Sequence, residues 1–250
     1  MSRSAPAEVK IQIRELHGIG EMQACVELQQ RVWGYSDMET VPDHVFLVAA
    51  KTGGHALAAF DGNTLAGFAL AFSAARNGNI YLHSHLVAVL PDYQNSGVGR
   101  ALKMAQREDA VKKGIDCIEW TFDPLQIKNA YFNIQRLGAM VRQYLPDLYG
   151  RTSSPLHGGL PTDRLVAEWW VSSPRVAQII GGRPPARRQG QRISVSAAIG
   201  TLRTTDLPTA EQMQLRIRSQ FQQLFSAGYA VTGFEVEQQG GAYILEPYEN

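Results

Sequence analysis

Gln94-Asn95-Ser96-Gly97-Val98-Gly99-Arg100 separates an extended apolar run (residues 80–90) from a helix-like run (residues 101–113). A glycine-bearing loop that leaves a strand and opens a helix turns several backbone N–H groups in one direction. The helix dipole adds partial positive charge at the same point. Glycine at 97 and 99 lets the main chain approach a ligand closely, and Arg100 offers a charge-assisted contact. The stretch predicts a seat for a phosphate or pyrophosphate, and so a phosphorylated cofactor. A lone Gly-x-Gly would leave an ordinary strand–helix turn as the better reading.

The run before the loop divides by face. Ile80, Leu82, Ser84, Leu86, Ala88 and Leu90 point one way, and Tyr81, His83, His85, Val87 and Val89 the other. The first face reads as core; the second, with two imidazoles, suits a strand lining a cleft. Further upstream, residues 11–16 alternate as a short strand and residues 21–33 form an amphipathic helix. Residues 34–54 read as irregular, with Pro42, Gly53 and Gly54 as breakers. Asp61-Gly62-Asn63 joins strands 56–60 and 65–75, and Asn77-Gly78-Asn79 turns into the long strand.

Downstream, Val98, Ala101, Leu102 and Ala105 give a helical stripe stopped at Gly114. Residues 115–122 form a buried-type strand ended by Asp123-Pro124. Ile127, Ala130, Tyr131, Ile134 and Leu137 make a second stripe, stopped by Gly138. Strands 139–144 and 164–171 flank an irregular stretch with Gly150, Pro155, Gly158, Gly159 and Pro161.

Composition narrows the function. With 250 residues and 44 % hydrophobic content, the chain can bury a large core, and a net charge of +1 argues against nucleic acid as a partner. Cys25 and Cys117 lack metal-type or redox-type spacing, and Cys117 reads as a small core side chain. Residues 1–10 carry no apolar segment of signal-peptide type, and the apolar stretch 56–75 is broken at Asp61. The expectation is a cytoplasmic protein with no membrane contact. Residues 172–191 hold Gly-Gly, Pro-Pro, Arg175, Arg183, Arg187 and Arg188 without an acid. Lacking interleaved aromatics, this reads as a solvated connector rather than a nucleic-acid site. Beyond it come a strand (193–199), a helix (209–227) and a hairpin (229–236 with 242–245). The expected organisation is a main domain over 1–171, a linker over 172–191 and a small α/β module over 192–250, whose hairpin either extends the sheet or covers the acceptor site.

The order strand, helix, hairpin, long strand, glycine loop, helix, strand, helix ending in Leu-Gly, two strands resembles the GNAT acyltransferase superfamily. That family's signature is a strand ending Val-x-Val-x-Pro followed by Gln/Arg-x-x-Gly-x-Gly/Ala. Here it reads Val87-Ala88-Val89-Leu90-Pro91-Asp92-Tyr93 and then Gln94 to Gly99. The resemblance covers roughly residues 11–171. It implies an α/β (α+β) fold with a mixed, mostly antiparallel central sheet flanked by helices, here with a C-terminal α/β extension. A closer resemblance is to a GNAT subgroup carrying Trp120-Thr121-Phe122-Asp123-Pro124-Leu125, Asn129-Ala130, Leu137-Gly138-Ala139 and Pro161-Thr162-Asp163-Arg164-Leu165 in this order. It implies an amino-acid acceptor, with succinyl as an alternative to acetyl.

The resemblance implies acetyl-CoA or another acyl-CoA as co-substrate, with no metal. It assigns the CoA pyrophosphate to backbone N–H groups of Gln94, Asn95, Ser96, Gly97, Val98, Gly99 and Arg100. It assigns the pantetheine arm to the main-chain edge at Val87 and Val89, with Asn129 as a further contact. The acceptor is an amine of a small molecule, and a homodimer is admitted. Attack of a neutral amine on a thioester needs a general base. His83 occupies the strand position of a base carboxylate in some relatives, and an imidazole titrates near neutrality. Glu119, an acid in an apolar strand, is the alternative: a cleft base or an edge-exposed group. Many relatives place a proton-donating tyrosine four residues before the Leu-Gly glycine, which is Ile134 here; Tyr131, one turn earlier, is the remaining candidate and also reads as a core aromatic. His85 and Arg164 are acceptor-site candidates, Arg164 because its planar fork suits a carboxylate. Asp163-Arg164 also reads as a local surface pair. Two other functions stay open: a non-catalytic acyl-CoA-binding module, and a metal hydrolase on His83-Ser84-His85. The hydrolase needs a third ligand, and His44, His55 and His157 have no supporting pattern.

Overall fold

The computed structural model describes residues 10–36, 38–150, 158–183, 185 and 190–248. The N-terminal residues 1–9, Pro155, His157, Arg187 and Arg188 lie outside the described residues. The chain divides into two compact units, residues 1–113 and 114–250.

The first unit runs β1 (Ile11–Glu15), α1 (Gly18–Trp33), α2 (Asp43–Lys51), β2 (His55–Asp61), β3 (Thr64–Arg76), β4 (Asn79–Val89), a 3₁₀ turn (Pro91–Tyr93) and α3 (Val98–Lys112). Its strands pair in the order β1-β2-β3-β4, each antiparallel to the next. Met22, Cys25, Leu28 and Gln29 place one stripe of α1 in the core, and Gly34 closes the helix in the left-handed region at φ 65°. Residues 34–54, expected to be irregular, contain α2. Its Phe46 and Ala49 are buried beside Phe68 and Leu70 of β3, so tertiary packing selects a helix that breakers on both sides concealed.

β4 corrects the expected division into faces. Leu70 pairs with Leu86 and Ala71 with Ser84, which leaves His85 as an extra residue in a β-bulge. The pleat slips by one across it. Ala88 and Leu90 pack with Phe68, Leu70 and α1, whereas Ser84 bonds to α3 and Val87 and Val89 pack with Val98 and Leu102 of α3. Val87 and Val89 therefore do not share a face with His83. His83 pairs with Phe72, and the His85 ring lies 5.3 Å from Phe72 and 6.0 Å from His83, so the two imidazoles do stay together.

The second unit comprises β5 (Cys117–Phe122), α4 (Ile127–Ala130) continuing as a π-helix (Tyr131–Arg136), β6 (Met140–Leu145), β7 (Arg164–Trp170), α5 (Pro174–Ile180), β8 (Gln191–Ser196), α6 (Ile199–Thr205), α7 (Leu207–Ser226), β9 (Tyr229–Glu237) and β10 (Gly240–Pro247). Its strands run antiparallel in the order β5-β7-β6-β9-β10-β8. The C-terminal hairpin thus extends the sheet, through Val141 of β6 opposite Val231 of β9. The stretch expected as a linker carries α5, capped by Ser173, whose Oγ accepts from Val176 N–H. Arg175, counted among the basic residues, donates to the carbonyls of Gly138 and Thr232. Burial pushes the thiols of Cys25 and Cys117 up to about 12, as suits inert core cysteines.

Several of the motifs quoted above, at residues 120–125, 137–139 and 161–165, are sockets for residues 172–247. Asp123 receives Arg203 at 2.8 Å, and Pro124 O receives the Tyr243 hydroxyl at 2.7 Å. Gly138 leaves room for α5: a Cβ there would lie 3.2 Å from Ile179 Cδ1 and 3.3 Å from Val176 Cα. Pro161 O receives Gln214, and Asp163 receives Arg218 in a bidentate pair at 2.9 and 2.7 Å. Asp163 is therefore not half of a local surface pair with Arg164. A chain ended after residue 171 leaves both carboxylates buried without their arginines and strips β6 of a neighbour. We expect it to lose cooperative urea unfolding and native near-UV circular dichroism. A stable truncated fragment would show these sockets to be dispensable.

Candidate active site

β4 ends at Val89, the 3₁₀ turn reverses the chain, and α3 begins at Val98. Two residues take positive φ here, Asn95 at 61° and Gly97 at 97°. Gln94 Nε2 donates to Val89 O at 3.1 Å and Ser96 Oγ to Tyr93 O at 2.6 Å, so both polar side chains fold back on the turn. The first turn of α3 has no side-chain cap, so no side chain screens its leading N–H groups. Val98 is buried against Leu102 and the β4 valines, which fixes the helix start, while residues 94–97 are exposed. A Cβ on Gly97 would meet nothing within 4 Å, and one on Gly99 only Val89 Cγ2 at 3.7 Å. Packing does not demand glycine at 99. Open space over bare amides, with a helix dipole behind them, fits a diphosphate.

His83 is half-buried on β4. Burial lowers its pKa first, and the charges of Lys103 and Arg76 lower it further. The imidazole is thus neutral at pH 7 and able to accept a proton. His85 projects from the bulge and is exposed. Among the described residues, no third His, Cys, Asp or Glu completes a group that could hold a metal ion, as the hydrolase reading requires.

In the second unit, Glu119 is buried on β5, opposite Glu168 of β7. Glu168 is held by Arg142 at 3.1 and 2.5 Å. Asn129 is exposed at the end of α4. Tyr131, read also as a core aromatic, is 39 % exposed, whereas Ile134 is wholly buried. The π-turn from Tyr131 to Arg136 inserts an extra residue before Leu137, whose N–H reaches Phe132 O. Arg164 donates to Asp163 O at 3.0 Å and stands over the Tyr149 ring at 5.2 Å. It lies four positions along β7 from Glu168, roughly 13 Å, so the two are not brought together.

Sequence reasoning missed one buried polar cluster. Lys103 of α3 donates to Ser84 Oγ at 2.8 Å, and Ser84 donates to Gln106 at 3.0 Å. Gln106 meets His55 Nε2 at 2.9 Å, and His55 Nδ1 meets Asp109 at 2.8 Å. The i, i+3 spacing of Lys103 and Gln106 beside the apolar stripe was the only signal.

The acetyltransferase (GNAT) family is matched over residues 22–138, a span that contains the loop, α3 and the strand carrying His83. Residues 22–138 form a GNAT acetyltransferase domain. Solved structures share its fold. A GNAT-family acetyltransferase from Desulfovibrio desulfuricans aligns at TM-score 0.54 and 18 % identity, over 65 % of this chain and 100 % of that one. The ribosomal-protein-S18-alanine N-acetyltransferase of Escherichia coli aligns at 0.52 and 17 %, over 66 % and 96 %. Aminoglycoside 6'-acetyltransferase type Ii aligns at 0.51 and 17 %, over 65 % and 98 %. A comparison with curated proteins found no match. The GNAT domain makes the protein an N-acetyltransferase, with acetyl-CoA as the donor that the family uses. No helix among the described residues is long and apolar enough to cross a membrane.

Proposed function

We propose that this GNAT enzyme moves an acetyl group from CoA to the amine of a small molecule by direct attack, with His83 as general base. The uncapped, glycine-lined start of α3 carries the reading. The backbone N–H groups of residues 95–100, with Arg100 beside them, hold the pyrophosphate, the Gln94 N–H being taken by Pro91 O at 3.1 Å, and Val87 and Val89 offer main chain to the pantetheine arm. The acceptor nitrogen bonds to the thioester carbonyl carbon as the carbon–sulfur bond breaks. The proton shed by nitrogen goes to the His83 imidazole, and the thiolate leaves with the bonding pair. Tyr131, exposed on the π-turn, is the candidate to protonate that thiolate, and Glu119 the alternative base. The half-exposed guanidinium of Arg164 favours an acceptor with a carboxylate, such as an amino acid.

A thiol-release assay crossing acetyl- and succinyl-CoA with amino acids of both hands, amines and aminoglycosides tests the assignment; no free thiol above the acceptor-free rate with any amine would overturn it. For the base, His83→Ala is expected to lower kcat by about a hundredfold or more. Because only the neutral imidazole accepts a proton, kcat/KM of the parent falls as pH drops through the depressed His83 pKa. A variant with near-parental turnover across the pH range would remove His83 from the mechanism.

A further inference from the structure

A buried ammonium stands behind the strand that carries His83. Lys103 is 4 % exposed, and Ser84, which accepts its proton at 2.8 Å, is 4 % exposed as well. Ser84 immediately follows His83 and immediately precedes the bulge at His85, with its side chain on the α3 face. Burying an ammonium against a hydroxyl costs several kcal/mol, whereas leucine or methionine would seat α3 on the sheet without that cost. Such a cost, one residue from the candidate base, points to a role in the chemistry.

We propose that Lys103 is a positioning residue for acyl transfer: through Ser84 it pins β4 from its rear face beside the bulge, and its charge keeps His83 unprotonated. This rests on the reading of His83 as the base. The charged and titratable groups around His83 are Lys103 of α3, Arg76 of β3 and His85 of its own strand. Those around Lys103 are His55 of β2 and Asp109 and Lys113 of its own helix, reached through Gln106. Burial brings Lys103 itself down to about 7. Its charge is therefore present on the acid side of neutrality, where His83 would gain a proton, and withdrawn on the alkaline side.

The full-length chain with carbon-13-labelled histidine separates these effects. In Lys103→Met the His83 titration midpoint, followed by NMR, should move to higher pH. The kcat/KM should fall about tenfold at pH 8.5, where only the tether is lost, and about threefold or more beyond that at pH 6. Ser84→Ala, which keeps the charge but cuts the tether, should leave the midpoint in place and lower kcat about tenfold at all pH values. Should the methionine variant fail to give a native spectrum, Lys103→Gln carries the same comparison. An unmoved midpoint in a folded variant, or a loss equal at every pH, reduces Lys103 to scaffold and overturns the proposal. A midpoint that moves while the acid limb of the activity profile stays put upholds the coupling and overturns His83 as base.

Discussion

Gly99→Val is expected to raise the KM for acetyl-CoA by about thirtyfold or more, with kcat at saturating donor within about threefold of the parent. The new side chain fills the space above the first turn of α3, where the bare amides face out. It meets little in the protein: a Cβ at 99 touches only Val89 Cγ2, at 3.7 Å. The urea midpoint should therefore stay close to the parental one, and calorimetric titration with CoA should show the loss directly. Gly97 makes a poorer test, because at φ 97° any side chain strains the backbone and mixes instability with lost affinity. Unchanged CoA affinity in a folded Gly99→Val enzyme would remove the diphosphate from this turn.

Asp163→Ala is expected to cost about 3–5 kcal/mol of stability, read as a lower urea midpoint. The Asp163 side chain is wholly buried and accepts from Arg218 Nε and Nη2, from the Tyr144 hydroxyl at 2.5 Å and from Asp147 N–H at 3.0 Å. Burial, then the bond to Asp163, raises the Tyr144 pKa, so the hydroxyl stays protonated and donating. Alanine leaves the guanidinium of Arg218 and that hydroxyl without their shared acceptor. Adding Arg218→Met should recover part of the loss, because the orphaned charge goes too. A single variant as stable as the parent would show that α7 is held by apolar contacts alone.

Local pattern carried much of the fold. The loop at 94–100, the hairpin at Asp61-Gly62-Asn63 and the strands about it are set by turn chemistry and alternation, which neighbours in the chain determine. Three features are set by partners distant in sequence and could not be read that way. The bulge at His85 exists only in register with Leu70 and Ala71, so splitting β4 by parity misplaced Val87 and Val89. α2 holds six apolar residues in a row, Val45 to Ala50, which hides its period, and Phe46 meets its neighbours only in three dimensions. Arg218 and Arg203 look like solvated charges on polar helices until Asp163 and Asp123, 55 and 80 residues away, are found beneath them. For the candidate site, residue type and spacing pointed to the proposed phosphate seat, and the family resemblance to His83. Lys103 lay hidden, since a lysine in an amphipathic helix reads as exposed.

The strand order of the second unit has a consequence for synthesis. β8 is translated before β9 and β10, yet it pairs with β10, and β9 lies between β6 and β10. While residues 229–247 are still inside the ribosome, β6 presents an open edge and β8 has no berth. Zippering of these strands must wait until β9 and β10 have emerged, and until then the nascent polypeptide exposes unpaired strand edges.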